Sequence, residues 1–349
     1  MHQSIQVTQP IGPSEPRSKL TWQQELARAF RSIPELLREL ELDSAQMDIS
    51  ADVLNEFPLR VPRGFVSRMQ KKNYDDPLLR QILPIVDEGR IVPGYTTDPV
   101  GDLASARGHG ILQKYHGRAL LMVTGACAIH CRYCFRRAYP YDEGTMPSRK
   151  IDSVIDRLSN DPSIEEVILS GGDPLSLTDQ KLETLLSALD QITHLRRIRI
   201  HTRLPVVLPE RIDPGLTRAL SRTSKPLIVV LHCNHANEID NGVSDAISRL
   251  SEQVFMLLNQ AVLLRGVNDS PTALVALSER LFEVGVMPYY LHQLDPVQGA
   301  AHFKVDDKRA LELVASAAKV LPGYLVPKLV REIPGAPAKA MITPDVKRN

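Results

Sequence analysis

Long apolar runs are missing from this chain of 349 residues. No stretch approaches the ~20 apolar residues that span a bilayer, so neither a membrane span nor a membrane partner is expected. The N-terminal MHQSIQVTQPIGPSEPRSK lacks the apolar segment of a secretory signal, which points to a cytoplasmic protein. An excess of one charge is missing too. Lys and Arg together number 42 against 41 Asp and Glu, so nothing draws the chain generally toward nucleic acid. Cysteine is scarce, with four residues, and three of them fall within eight positions. A disulfide framework spreads its cysteines; a tight cluster points to metal binding or redox chemistry. No tandem repeat and no low-complexity tract is found. What remains is an ordinary globular composition, 43% apolar and 24% charged. The length suits one large domain or two ordinary ones, with a core that needs no disulfides.

Residues 1–19 are polar and proline-rich and read as a disordered arm. From Thr21 the spacing of Trp22, Leu26, Phe30, Ile33, Leu37 and Leu40 predicts helix, with a break or a new start at Pro34. Further helical pieces are expected at 65–69 and 77–82, followed by the loop IVPGYTTDPVGD, so 20–110 forms a helical N-terminal region. From Arg118 the pattern changes. Short apolar runs at 119–123, 166–169, 197–201, 227–231, 254–258 and 286–291 read as buried strands. Amphipathic stretches at 182–189, 216–220, 246–250, 274–282 and 310–320 alternate with them. About six strand–helix alternations over 111–320 predict an α/β fold with a parallel sheet, either a partial barrel or an open doubly wound sheet. Residues 321–349 read as an extended Pro/Gly-rich segment.

The segment GACAIHCRYCFRR spaces its thiols as Cys127-x3-Cys131-x2-Cys134, directly after the first buried strand. Parallel α/β proteins place chemistry at the carboxyl ends of their strands. Thiolates suit zinc, copper(I) or iron–sulfur clusters. A closed zinc site wants four ligands, which His130 or Cys233 could complete. Alternatively, three thiolates hold three irons of a [4Fe–4S] cluster and leave the fourth iron open to a substrate.

This spacing in this position resembles the radical S-adenosylmethionine (SAM) superfamily. Tyr133 stands where the family usually has an aromatic beside the adenine. The motif SGGDPL, with Gly171, Gly172 and Asp173, resembles the family's glycine motif, whose exposed backbone groups can hold the methionine amino group. Over residues 60–342 the resemblance narrows to the lysine 2,3-aminomutase family, and within it to the bacterial branch that makes (R)-β-lysine for elongation factor P. LRVPRGFVSRM, KYHGRALL, NHANE, LLNQAVLLRGVND, GVMPYYLHQLDPVQGAAHF and GYLVPKLVREIPGAPAK carry it.

The resemblance implies a partial (β/α)6 radical-SAM barrel with an N-terminal helical extension and an extended C-terminal segment. It implies three cofactors: a [4Fe–4S] cluster on Cys127, Cys131 and Cys134, SAM, and pyridoxal 5′-phosphate (PLP). Lys339, in PGAPAK, takes the place of the Schiff-base lysine. Lys114, Tyr115 and Arg118 match the phosphate-binding positions, and His232 and Gln260 match the lining of the SAM pocket. Arg136 matches the residue that meets the substrate α-carboxylate, a fork-to-carboxylate fit. Asp295 and Glu332 match the acidic pair that reads the distal ammonium of lysine. Relatives hold a structural zinc through cysteines near the C-terminus; this chain has none after Cys233, so that zinc is not expected. The implied activity is conversion of L-lysine to (R)-β-lysine, with a one-electron reductant protein as partner and a link to elongation factor P and its lysyl ligase. Three other readings stand beside it: an aminomutase for another amino acid such as glutamate, a radical SAM enzyme without PLP, and an iron–sulfur electron carrier or zinc-stabilised binding module.

Overall fold

The computed structural model describes residues 20–49, 57–146 and 151–343. The expected arm at 1–19 lies outside them. Nine strands form one sheet, in sequence order: β1 (Ile111–Leu112), β2 (Arg118–Thr124), β3 (Glu166–Gly171), β4 (Arg197–Thr202), β5 (Leu227–Leu231), β6 (Met256–Val262), β7 (Met287–His292), β8 (Lys328–Arg331) and β9 (Ala340–Met341). Every pairing from β2 to β8 is parallel, while β1 and β9 add antiparallel edges. The two edges do not pair with each other, so the barrel is partial.

Most of the parallel strands are short and largely apolar because helices cover their outer faces, whereas β4 alternates, with Ile198, Ile200 and Thr202 buried between half-buried Arg197, Arg199 and His201. β3 is buried at all six positions. Five helices match the amphipathic stretches: Asp179–Asp190, Pro214–Leu220, Asn241–Ser251, Pro271–Glu283 and Asp307–Ala318. Thr178, Asp213, Asp240 and Ser270 cap the first four by accepting hydrogen bonds from first-turn amides. An additional helix, Ile151–Ser159, buries only Val154 and Leu158. Two apolar residues one turn apart give a weak periodic signal, which is why the pattern alone does not reveal it.

Two expectations shift. The fifth parallel strand begins at Met256 rather than at 254, because its pairing with β5 starts where Met256 meets Ile228; its buried positions are Leu257, Asn259 and Ala261. The extended C-terminal segment contributes a seventh parallel strand, β8, which docks on β7 through Tyr290, Leu291 and His292. Its four residues are too few to show a period, and pairing with β7 is what makes them a strand.

The N-terminal region is helical only in pieces. Trp22–Ala27 starts with a capping box between Thr21 and Gln24. Ile33–Glu39 starts at Ser32 with Pro34 in its first turn, where a proline costs no hydrogen bond. Arg63–Val66 and Pro77–Arg80 are single turns, shorter than expected. One continuous apolar core joins this region to the barrel. A smaller cluster, Leu264, Val267, Val297, Ala300 and Phe303, packs under Tyr133 and Phe135 of the cysteine loop.

Candidate active site

The cysteine loop leaves β2 and is clamped from below by the turn after β3. Gly171 has φ +123°, which side chains rarely adopt, and a Cβ at Gly172 would collide with the Ala126 carbonyl. The Gly172 N–H donates to Thr124 O (2.7 Å) and the Asp173 N–H to Ala126 O (2.8 Å). These two amides therefore hold the cysteine loop; a ligand's amino group donates, so the motif's carbonyl oxygens, not these N–H groups, are what it would need. Asp173 is likewise engaged. Its carboxylate accepts from Thr202 Oγ1 (2.7 Å) and from the amides of Arg203 (2.7 Å), Leu175 (3.0 Å) and Leu204 (3.1 Å), tying the end of β3 to the end of β4. Burial pushes this carboxyl up to about 6.

Cys127, Cys131 and Cys134 are free and partly accessible, whereas Cys233 is buried. Burial, and then the other thiols, push Cys127 up, and the same causes push Cys134 up to about 11. Such crowded thiols are poor anions on their own and become thiolates when a cation joins them. Among the described residues no three Cys, His, Asp or Glu side chains converge on one ion. A cubane puts each thiolate on a different iron, so it needs no such point. Arg203 Nη1 donates to Cys131 Sγ at 2.7 Å, and its Nε is buried without an acceptor. Three thiols around an accessible loop, with a donor on one sulfur and a spare one in the same guanidinium, fit a cluster.

Tyr133 packs edge-on against Phe303, and its hydroxyl meets Arg203 Nη1 (2.5 Å) and Asn234 Nδ2 (2.7 Å). His232 follows β5 and lies 2.8 Å from Gln260 Nε2, so these two expected neighbours are in contact. Burial pushes His232 down to about 3, leaving a neutral imidazole that accepts from the amide.

The second group of residues gathers around Lys339. A β8–β9 hairpin pairs Arg331 with Ala340, which sets Glu332 and Lys339 opposite each other. Lys339 Nζ donates to Glu332 Oε2 at 2.5 Å, and Tyr115 Oη donates to Glu332 Oε1 at 2.7 Å. Burial raises Glu332, but the Lys339 charge and hydrogen bond outweigh it and hold the carboxyl below its ordinary value. Lys114 lies 2.7 Å from Asp102 and 3.6 Å from Glu332. Arg118 has no carboxylate partner among the described residues and stands 5.2 Å from the Tyr115 ring centroid. Asp295 has no hydrogen bond to its carboxylate among the described residues, and burial pushes it up to about 7, partly offset by Lys339.

Asp102 is the residue that sequence reasoning missed. It comes from the IVPGYTTDPVGD loop, which crosses the strand ends through a Thr96–Val297 bridge. Its carboxylate takes Arg136 Nε at 2.6 Å besides Lys114. Arg136 Nη1 donates to Ser170 at 2.9 Å, so only its Nη2 is left without a protein acceptor. His201 and His292 were also missed. His292 is buried and His201 half-buried, each with its Nε2 shielded from solvent and unpartnered among the described residues, and both are pushed down by burial, with Lys339 among the further causes. A lone histidine near a strand end gives no signal in sequence.

Residues 121–219 match the Radical SAM superfamily model. The chain is 46% identical over 323 residues to the L-lysine 2,3-aminomutase of Escherichia coli, covering 92% of this chain and 94% of that one. The enzymes of the same name from Haemophilus influenzae and Buchnera aphidicola are each 42% identical, over 333 and 330 residues, covering 95% and 94% of this chain and 98% and 97% of theirs. The chain belongs to the L-lysine 2,3-aminomutase family of radical SAM enzymes. It is therefore an isomerase whose family uses a [4Fe–4S] cluster and SAM. In this aminomutase the cysteine loop and the Lys339 hairpin sit at opposite ends of the strand order, after β2 and between β8 and β9. Arg136, two residues past Cys134, links them through Asp102 and Lys114 to Glu332. Among the described residues no helix is long and apolar enough to cross a membrane.

Proposed function

We propose that this aminomutase converts L-lysine to (R)-β-lysine by moving the α-amino group to Cβ, with PLP held on Lys339 and the cluster on Cys127, Cys131 and Cys134. The carrying observation is the Lys339 ammonium itself. A primary ammonium at the end of a four-carbon chain lies against Glu332, beside an unpaired Asp295. That is the recognition problem that a lysine substrate poses, solved here by a side chain of the protein. A buried ammonium needs paired anions, and these two carboxylates supply them. Lys339 would be the residue that holds PLP, and Glu332 and Asp295 would then be the carboxylates open to a substrate ammonium. The same pair repels an acidic side chain, which argues against glutamate.

The residues fit PLP. Arg118 is a cation without a protein anion, and Lys114 and Tyr115 stand beside it. His201 and His292 each keep an unused buried ring nitrogen. Arg136 keeps Nη2 for a substrate carboxylate while Asp102 and Ser170 fix its plane. Bound SAM and cluster supply a carbon radical able to take hydrogen from an unactivated carbon, and bound PLP supplies a conjugated ring that spreads spin. The protein's part is to hold the substrate by both ends, keep its reacting carbons in register and exclude water. His232 and Gln260 hold each other at the end of the SAM half, and Tyr133 is fixed there through its hydroxyl.

The reading extends to a cytoplasmic enzyme that receives one electron from a carrier protein and supplies β-lysine to the ligase that modifies elongation factor P. Its support is the long collinear likeness to the branch with that role. Anaerobic reconstitution with iron, sulfide, PLP and SAM, followed by chromatography of lysine isomers, tests the reaction. Formation of β-lysine is expected; turnover of glutamate without turnover of lysine would reverse the substrate assignment. Transfer of the product to elongation factor P by the purified ligase tests the link.

A further inference from the structure

We propose that Arg203 is a positioning residue that sets the reduction potential of the cluster, with Glu238 as its counterweight. The proposal rests on the reading that Cys127, Cys131 and Cys134 hold that cluster. Arg203 follows β4 and is 5% exposed. Its guanidinium sits between two kinds of acceptor. Nη1 donates to Cys131 Sγ at 2.7 Å and to Tyr133 Oη at 2.5 Å. Nη2 donates to Glu238 Oε2 at 2.9 Å and to Gln81 Oε1 at 2.8 Å.

Glu238 is fully buried, and the NHANE segment is folded around it. Its Oε1 accepts from Gln81 Nε2 (3.0 Å) and from the amides of Asn234 (3.0 Å) and His235 (3.1 Å). Asn234 in turn donates to Gln81 (3.0 Å) and Tyr133 (2.7 Å). A plain structural anchor needs no contact with a sulfur ligand. This one places a cation on the sulfur and a carboxylate on the far side of the same guanidinium.

The chemistry is a single electron transfer. An external low-potential donor is oxidised by one electron, and the cluster takes it up, gaining one negative charge. Hydrogen bonds to the sulfurs and nearby charge are what a protein uses to tune that step. In a site shielded from water a cation in contact with the sulfur stabilises the reduced form, and an anion behind it weakens that effect. Removing the arginine therefore lowers the midpoint potential, and removing the carboxylate raises it. The opposite signs distinguish tuning from buttressing, since loss of a mere buttress shifts both variants the same way or neither.

The test is a redox titration of the reconstituted holoenzyme, followed by the electron paramagnetic resonance signal of the reduced cluster. Iron and sulfide content are measured on every sample. Arg203→Gln is expected to make one-electron reduction at least tenfold less favourable, a midpoint about 59 mV more negative. Arg203→Lys keeps the charge and recovers part of the shift, and Glu238→Gln moves the midpoint upward. An unchanged midpoint in Arg203→Gln at full iron content overturns the proposal, as does a downward or absent shift in Glu238→Gln. If Arg203→Gln does not hold its iron, the sign in Glu238→Gln decides. Failure of the underlying reading looks different: Cys131→Ala would then keep its full iron and signal.

Discussion

The cysteine half of the barrel and the lysine half handle polar groups in opposite ways. Around the cysteine loop the protein satisfies its own acids completely. Asp173 accepts four hydrogen bonds and Glu238 accepts four, each from described neighbours. Around Lys339 the groups are paired in a loose relay, and some have no partner. Among the described residues Asp295 has no donor, Arg118 no anion, and His201 and His292 each an idle nitrogen. Apart from donors such as Arg203 Nε the network around the cysteine loop is filled, and a filled network is stiff, since its members fix one another. It suits a resident cluster. An unsaturated one keeps its sites for ligands that arrive, react and leave, and its buried charges are costly until a ligand pairs them.

The largest effect expected is at the rigid half. Cys131→Ala should remove the brown chromophore and all SAM cleavage, read by absorbance and by chromatography of 5′-deoxyadenosine. Full activity in that variant would break the contrast at its root. Lys339 comes next. Borohydride reduction should fix a pyridoxyl group on Lys339, located by peptide mass; a label on Lys328 instead would move the anchor into β8.

Asp295→Asn should raise the lysine KM by about thirtyfold or more, corresponding to the ~2 kcal/mol or greater loss when a buried ion pair loses one partner. Kinetics on lysine with SAM cleavage measured in parallel check it, and wild-type KM in both Asp295→Asn and Glu332→Gln would remove the case for lysine. The pH dependence sharpens the same point. Burial holds the Asp295 carboxyl at about 7 in the empty site, and an ammonium binds only its ionised form. The kcat/KM for lysine should therefore climb as pH rises through about 7, and Asp295→Asn should flatten that limb. The sign for folding is the reverse. A carboxyl whose value is raised above its unfolded ~3.9 makes the empty protein less stable as pH rises from there through about 7. Lysine should offset part of that loss in thermal melts.

Smaller effects belong to residues that only support. Asp173→Asn replaces a fully used carboxylate and should cost about 1–3 kcal/mol in denaturant melts while iron uptake persists. Cys233→Ala should cost about 1 kcal/mol and leave the cluster intact, because Cys233 is a small core residue whose Sγ bonds weakly to the His235 carbonyl at 3.4 Å.

Local patterns reached a long way into this protein. Apolar runs of five or so residues marked most of the strands, since a strand covered by helices must be apolar on the covered face, and even the charged β4 shows its buried Ile198 and Ile200 in alternation. Three thiols marked the loop; the two glycines by themselves suggest room for a ligand, and it is the fold that sets them against the loop, with φ +123° at Gly171 and a near contact at Gly172. The long collinear likeness marked Lys339, Glu332 and Asp295. Tertiary structure decided what such signals cannot carry. Only pairing with β7 makes Lys328–Arg331 a strand, and only the hairpin beyond it turns Lys339 toward Glu332. Asp102 becomes the hinge between Arg136 and Lys114 because a loop with no pattern of its own is bridged across the barrel by Thr96 and Val297. The direction of a carboxylate, and whether a neighbour from a distant strand has already occupied it, follow from packing. A chain of letters fixes which groups are available; the fold determines which of them are left over for chemistry.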